Sequence, residues 1–337
     1  MTIRNRIRMF VFKIFKAMRI LYGKVIGYEK PSPVIMEKDR NKVSRLIYDM
    51  LSADGPCMIA RFGANEMGCV LNYLDVKRGM PPLLDYIRGK SGDWWWSEGK
   101  KACMYNQAGF FPVDDESLSR FSEMMLDDAR MMSLCGVLTC EIYDLPKLYA
   151  YMDDPEFVPV GFLDPFVANV PWSRVLENKR VVVVHPFAEL IESQYANRRN
   201  LFSDSRVLPD FTLRTVKAVQ SIGGGDAIRF DNWFEALDYM KSEIDKLDYD
   251  ICLLGCGAYG FPLAAHVCRT GRKAVHIGGS LQLLFGIKGK RWENPSEAVQ
   301  FGLPSDFYIK LMDNPYWVRP TKYRTDKSDK VEGGCYW

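Results

Sequence analysis

The chain has 337 residues, 47% hydrophobic and 26% charged, which matches ordinary globular usage and excludes disordered and collagen-like classes. Lys and Arg number 45 against 42 Asp and Glu, but seven of the cations (Arg4, Arg6, Arg8, Lys13, Lys16, Arg19 and Lys24) precede the first acid, Glu29. The body therefore holds 38 basic against 42 acidic residues, which argues against a nucleic-acid partner, and no uncharged apolar run reaches the 18 residues of a bilayer span.

Residues 1–30 read as a basic amphipathic segment, with residues 1–24 as its contact with an anionic membrane surface. At about 100° per residue, Ile3, Ile7, Phe10, Val11, Ile14, Met18 and Leu21 fall on one arc roughly 100° wide. Arg6, Arg8, Lys13, Lys16 and Arg19 occupy the other side. The pattern suits a helix lying in a bilayer interface, each basic residue near anionic lipid contributing about 1 kcal/mol. A helix packed on the protein's own core is the competing reading. Lys13, Lys16 and Arg19 break the apolar run that a secretory signal requires.

Residues 31–337 read as one α/β domain. Strands are expected at Cys57–Phe62, Ser133–Thr139, Arg180–His185, Arg214–Val219, Ile251–Gly255 and Ala274–Ile277. Helices are expected at Lys42–Leu51, Glu66–Asn72, Glu116–Met131, Glu189–Arg198, Trp233–Leu247 and Phe261–Thr270. The alternation predicts a Rossmann-like, mostly parallel sheet with helices on both faces. Gly79–Gly92 and the tail after Asn314 read as loops. Trp94, Trp95 and Trp96, with Tyr105, Phe110 and Phe111, form either a platform for sugar or lipid or a piece of core. Nine cysteines, an odd number without C-x-x-C spacing, read as reduced, mostly buried thiols of a cytoplasmic protein.

Gly255-Cys256-Gly257-Ala258-Tyr259-Gly260 is a G-x-G-x-x-G turn between a strand and a helix, where glycines and free helix N–H groups suit a phosphate. The acid that a NAD ribose requires is missing from the next strand end, His276-Ile277-Gly278-Gly279-Ser280. The turn is therefore read as a nucleotide- or phosphate-contacting loop, with a tight helix–sheet crossing as its structural alternative. Gly278, Gly279 and Ser280 lie on the same carboxyl edge, followed by Gln282 and by Lys288, Lys290, Arg291 and Trp292, cations for a diphosphate and a ring for stacking. His185 ends a strand and is followed by Glu189; either a general base or a backbone-bonded histidine fits. Arg61, Asn65 and Glu66 close the first strand of the body and open a helix, where Asn65 can cap and Glu66 suits the first turn. Asp248-Tyr249-Asp250 matches a D-x-D pattern but precedes its strand, and reads as a turn.

Four blocks together resemble the bacterial GT-D-fold glycosyltransferases of surface polysaccharide synthesis: ARFGANE (Ala60–Glu66), VVVVHPF (Val181–Phe187), LLGCGAYGFPLA (Leu253–Ala264) and HIGGSLQLLFGIKGKRW (His276–Trp292). The resemblance implies a GT-D-like domain, a nucleotide diphosphate sugar as donor and a lipid-linked glycan as acceptor, at the inner face of the cell membrane. It places Arg61, Asn65, Gly255, Gly257, Tyr259, Gly260, Gly278, Gly279, Ser280, Gln282, Lys288, Arg291 and Trp292 at the donor, with Glu66, His185 and Glu189 as candidates for the chemistry. The family's first block reads Arg-Phe-Gly-Asp-Gly-Glu. Here Ala64 stands where that Asp would be, so Glu66 is the one family-matching metal ligand and a Mg²⁺ or Mn²⁺ requirement is in question. A nicotinamide-dependent oxidoreductase using the glycine turn and a non-catalytic membrane-associated scaffold are the alternatives.

Overall fold

A computed structural model describes residues 3–29, 31–222, 229–324 and 334–337. Helix α1 (Ile3–Val25) precedes α2 (Arg40–Ser52), β1 (Cys57–Arg61), α3 (Ala64–Arg78), α4 (Leu83–Ile87), α5 (Glu98–Ala108) and α6 (Asp115–Ala129). Then come β2 (Leu134–Val137), β3 (Glu156–Pro159), β4 (Arg180–His185), α7 (Ala188–Ala196), β5 (Thr212–Lys217), α8 (Trp233–Asp245), β6 (Ile251–Leu254), α9 (Gly260–Arg269) and β7 (Lys273–His276).

The seven strands form one all-parallel sheet in the order β3-β2-β1-β7-β6-β4-β5. A parallel sheet is buried on both faces, so its central strands are continuously apolar, as in Val181–Val184. Successive side chains then serve opposite cores. Met58, Ala60, Val182, Val184, Cys252 and Leu254 pack under α3, α6, α8 and α9, whereas Ile59, Val181, Val183, Ile251, Leu253 and Val275 pack under α2 and α7. Local chemistry starts the helices: Asp39 caps α2, Asp114 caps α6 and Asn232 caps α8 through bonds to amides of the first turn.

The sequence expectation lacked β3, a four-residue edge strand ending in Pro159, and α4 and α5. The fourth residue of β3 has no N–H to donate, which suits a sheet edge and hides the strand from pattern analysis. Helix α3 runs six residues beyond the expected Asn72, to Arg78. Asp248 and Asp250 both bind Arg180 at the amino end of the sheet, the latter through Nη2 at 2.6 Å, so this pair acts as a turn. None of the nine cysteines forms a disulfide, and six are buried.

Trp94, Trp95 and Trp96 are core, and α1 covers two of them. The ring of Phe12 stacks on Trp95 at 4.3 Å and meets Trp94 edge-on at 5.3 Å, with Tyr86 completing the cluster. Lys16 binds Asp93 at 2.7 Å, and the Arg19 guanidinium lies 4.9 Å from the Tyr86 ring. These contacts are local to α1. Replacing Phe12 with Ala should therefore let trypsin cut sooner after Lys13 and Lys16, while the denaturant midpoint of the sheet moves little. Unchanged cleavage at both sites would show that Phe12 does not anchor the helix.

Candidate functional site

From β6 the chain crosses by α9 toward β7 and β1; from β4 it crosses by α7 the other way, to β5. The carboxyl ends of β4 and β6 thus flank a topological switch point, the place where an open parallel sheet leaves a crevice. A cavity of about 340 Å³ occupies this edge. It brings together Arg61, Asn65, Glu66, His185, Gly255, Gly257, Tyr259, Gly279, Ser280, Gln282, Arg291 and Trp292 among the residues singled out from sequence.

Residues at the ends of β4, β6 and β7 meet closely at its floor. A Cβ on Gly255 would stand 2.7 Å from the His185 ring and 2.9 Å from the Gly278 carbonyl, so only glycine fits. Gly257 has φ +58° and faces open space on the cavity. Helix α9 follows with no side chain capping its start; the Gly260 amide turns back to the Gly257 carbonyl and Pro262 has no N–H, so this edge is met by the positive end of the helix dipole and the backbone of the glycine turn.

Arg61 leaves the end of β1 and lies across Gly278, where a Cβ would come within 2.4 Å of its Nη2. Its Nη1 donates to the Phe62 carbonyl at 3.1 Å. Glu66, third residue of α3, turns its carboxylate back on Gly63 at the helix start. Burial raises its pKa, and Arg61 opposes that rise. Behind them Glu141 is pushed up to about 8 by burial, opposed by the Leu138 amide and by Arg61.

The cavity also holds groups that the motif analysis missed. Asp164 is 4% exposed and is hydrogen-bonded by the hydroxyls of Ser280 and, at 3.3 Å, Tyr308. Burial pushes its pKa up to about 7, against the pull of those two bonds. Tyr336 lies on Gly279, where a Cβ would be 2.0 Å from its ring, and the Arg291 guanidinium sits 5.1 Å from that ring. Asp164 follows the unrecognised strand β3, and Tyr336 lies in the tail expected as loop. The Gly161-Phe162-Leu163-Asp164-Pro165 run, an acid among apolar residues, was the one available signal.

Several expected site residues have other duties. The Phe187 amide donates to His185 Nδ1 at 3.0 Å, and burial lowers the ring's pKa to about 3. The ring is therefore neutral with its proton on Nε2, and it offers an N–H donor; a base role would first break the Phe187 bond. Glu189 lies outside the cavity, paired with Lys217 at 3.0 Å and bonded by the Tyr323 hydroxyl at 3.1 Å. Lys288 also lies outside, its amide donating to the Val318 carbonyl at 2.8 Å. The Gln282 amide nitrogen donates to the carbonyls of Ile287, Lys288 and Tyr336, tying the tail to the loop. Trp292 is 4% exposed, its ring packed on Gly289. Gly260 makes room for the His276 ring, 2.1 Å from where its Cβ would be, and Gly278 for Arg61. The Tyr259 ring stacks on Trp233 at 4.6 Å and its hydroxyl meets Ser221 at 2.9 Å, so the side chain is held in the core. Asn65, second residue of α3, accepts from the Cys103 thiol at 3.0 Å instead of capping; Gly63 holds the cap position.

No family model matches the chain, and no curated protein or solved structure matches it. A resident divalent cation does not fit the groups of this site: Glu66 lies beside Arg61, Asp164 is bonded by the hydroxyls of Ser280 and Tyr308, Ala64 brings no ligand, and no group of three or more His, Cys, Asp or Glu residues is arranged around a metal position among the described residues. What fits is an anion held by Arg61, Arg291 and backbone N–H groups, near one carboxyl able to exchange a proton at neutral pH.

Two outcomes follow. Gly260→Ala should destabilise the fold by about 1–3 kcal/mol through overpacking on His276, read as a lower denaturant midpoint; a stable variant would argue against that packing role. Asp164 has a folded pKa above the ordinary carboxylate value, so the native state keeps a proton that the unfolded chain releases above about pH 4. Its contribution to stability is complete below about pH 4 and declines as pH rises to about 7. Asp164→Asn should therefore gain stability relative to the parent between pH 5 and 8, by about 1.4 kcal/mol per pKa unit of displacement. Parallel midpoints across that range would sink this assignment.

Proposed function

We propose that this protein is a glycosyltransferase that moves a sugar from a nucleotide diphosphate sugar to a lipid-linked glycan acceptor in bacterial surface polysaccharide synthesis, on a GT-D-like domain. The observation that carries the proposal is the meeting, in one cavity at the switch point, of two guanidinium groups, an uncapped helix start after a glycine turn, and a buried neutral-range carboxyl. The resemblance of the four sequence blocks to the GT-D enzymes supports the same chemistry.

In this scheme the donor diphosphate lies against Arg61, Arg291 and the amides of Gly257 to Tyr259. Asp164, in its ionised form, takes the proton of the acceptor hydroxyl as that oxygen bonds to the anomeric carbon. The bond from the anomeric carbon to the diphosphate oxygen breaks, and the charge left on the diphosphate is met by the cations and N–H dipoles. Glu66 offsets part of the Arg61 charge from the start of α3. A general base whose pKa lies near the working pH balances being ionised against being basic enough to accept, which suits Asp164 better than a histidine held neutral by burial.

Nucleoside diphosphates should raise the thermal midpoint of the protein, and Arg291→Ala should weaken that response. Asp164→Asn should keep nucleotide binding yet lose about 10²–10⁴ in transfer rate, together with the acid limb of the pH–rate profile near 7. Stabilisation by NAD(P) with no response to any nucleoside diphosphate would overturn the proposal in favour of an oxidoreductase.

A further inference from the structure

The side of α1 that faces the protein is not its apolar side. The anchoring residues are Phe12, Phe15, Lys16 and Arg19. Phe10, Ile14, Met18, Leu21 and Val25 instead stand in solvent, Phe10 and Leu21 at 65% and 63% exposure. At about 100° per residue, the centres of these two faces lie roughly 150° apart around the helix. The aromatic anchors hold the helix against the body, and that same anchoring turns an aliphatic stripe outward. Met80 and Leu84, each 63% exposed, add apolar surface on and just before α4, the helix against which α1 packs.

We propose that the outward face of α1 docks on a bilayer containing anionic phospholipid. The occupant is chosen by charge. Every charged residue of α1 is basic. Lys16 and Arg19 are occupied by the body, but Lys13 and Lys24 are exposed at one margin of the stripe, and Arg4, Arg6 and Arg8 add three cations to the same helix. A second copy of the chain would press like charges together with no acid in α1 to pair them. An anionic headgroup layer neutralises those charges, while the acyl boundary takes Phe10, Ile14, Met18 and Leu21. No described helix is long and apolar enough to cross a membrane, so the contact lies in the interface plane. The inference is independent of the transferase assignment, because it concerns binding without substrate.

The test is co-sedimentation of the full chain with phosphatidylcholine vesicles made with and without phosphatidylglycerol. Binding should need phosphatidylglycerol, weaken as salt rises, and fall about tenfold or more in Lys13→Glu/Lys24→Glu, two basic residues being worth about that much at an anionic surface. Ile14→Glu/Met18→Glu should abolish binding with an unchanged denaturation midpoint, since both positions are exposed. Equal binding to neutral vesicles, or binding that survives Ile14→Glu/Met18→Glu, would overturn the proposal. So would self-association of the parent chain, seen by sedimentation equilibrium and removed by Ile14→Glu/Met18→Glu, which would assign the stripe to a second copy.

Discussion

The close approach of the chain ends of β4, β6 and β7 is the constraint on which the site depends. Gly255 sits where any side chain would strike His185 and the Gly278 carbonyl, and Gly278 in turn lies under Arg61. Three strand ends are thus drawn together at the switch point, and a cation from β1 is laid over them. Because the sheet is parallel and buried on both faces, polar groups have little room among the strands themselves. They gather at its carboxyl edge, where the crossovers diverge and leave the cavity open.

Burial raises the pKa of all three acids near this edge. Arg61 pulls Glu66 and Glu141 part of the way back, though Glu141 still stands at about 8. Asp164 is opposed only by the hydroxyls of Ser280 and Tyr308 and stands at about 7. What sets Asp164 apart from Glu141 is its place in the cavity lining, since Glu141 lies behind it. The neighbouring histidines, equally buried, are driven to the neutral form and act as hydrogen-bonding groups.

Much of this architecture was legible in the chain. Runs such as Val181–Val184 announce strands buried on both faces, and the glycine turn before α9 announces a crevice. The glycine pattern did not reveal which glycine serves which purpose: Gly257 opens to the cavity, whereas Gly260 accommodates His276, sixteen residues later in the next strand. That distinction is a tertiary contact and has no local signature. Asp164 and Tyr336 were hidden for a related reason. Each reaches the cavity through an element with weak periodicity, one after a four-residue edge strand ending in proline and the other in an irregular tail held by Gln282. The helical wheel of α1 found the apolar stripe but not its direction, because Phe12 and Phe15 lie off that stripe and their partners, Trp94 and Trp95, are about eighty residues away.

Helix α3 joins these two regions. Its first turn carries Glu66 into the cavity, and its later residues fasten the loop that receives α1: Asn72 donates to the Asp93 carbonyl at 2.6 Å and to the Trp95 carbonyl at 3.3 Å, and Asp75 accepts the Gly92 amide at 3.0 Å. The same Asp93 binds Lys16 of α1 and accepts the Tyr86 hydroxyl at 2.7 Å. A helix is stiff over such a length, so the cavity and the α1 anchor keep a fixed relation. On the proposed reading, in which the acceptor is tethered in a bilayer on which α1 docks, such a relation has a clear use. The acceptor's reactive hydroxyl would stay within a narrow range of the surface, and a rigid link from α1 to the cavity would confine the search for it to that range.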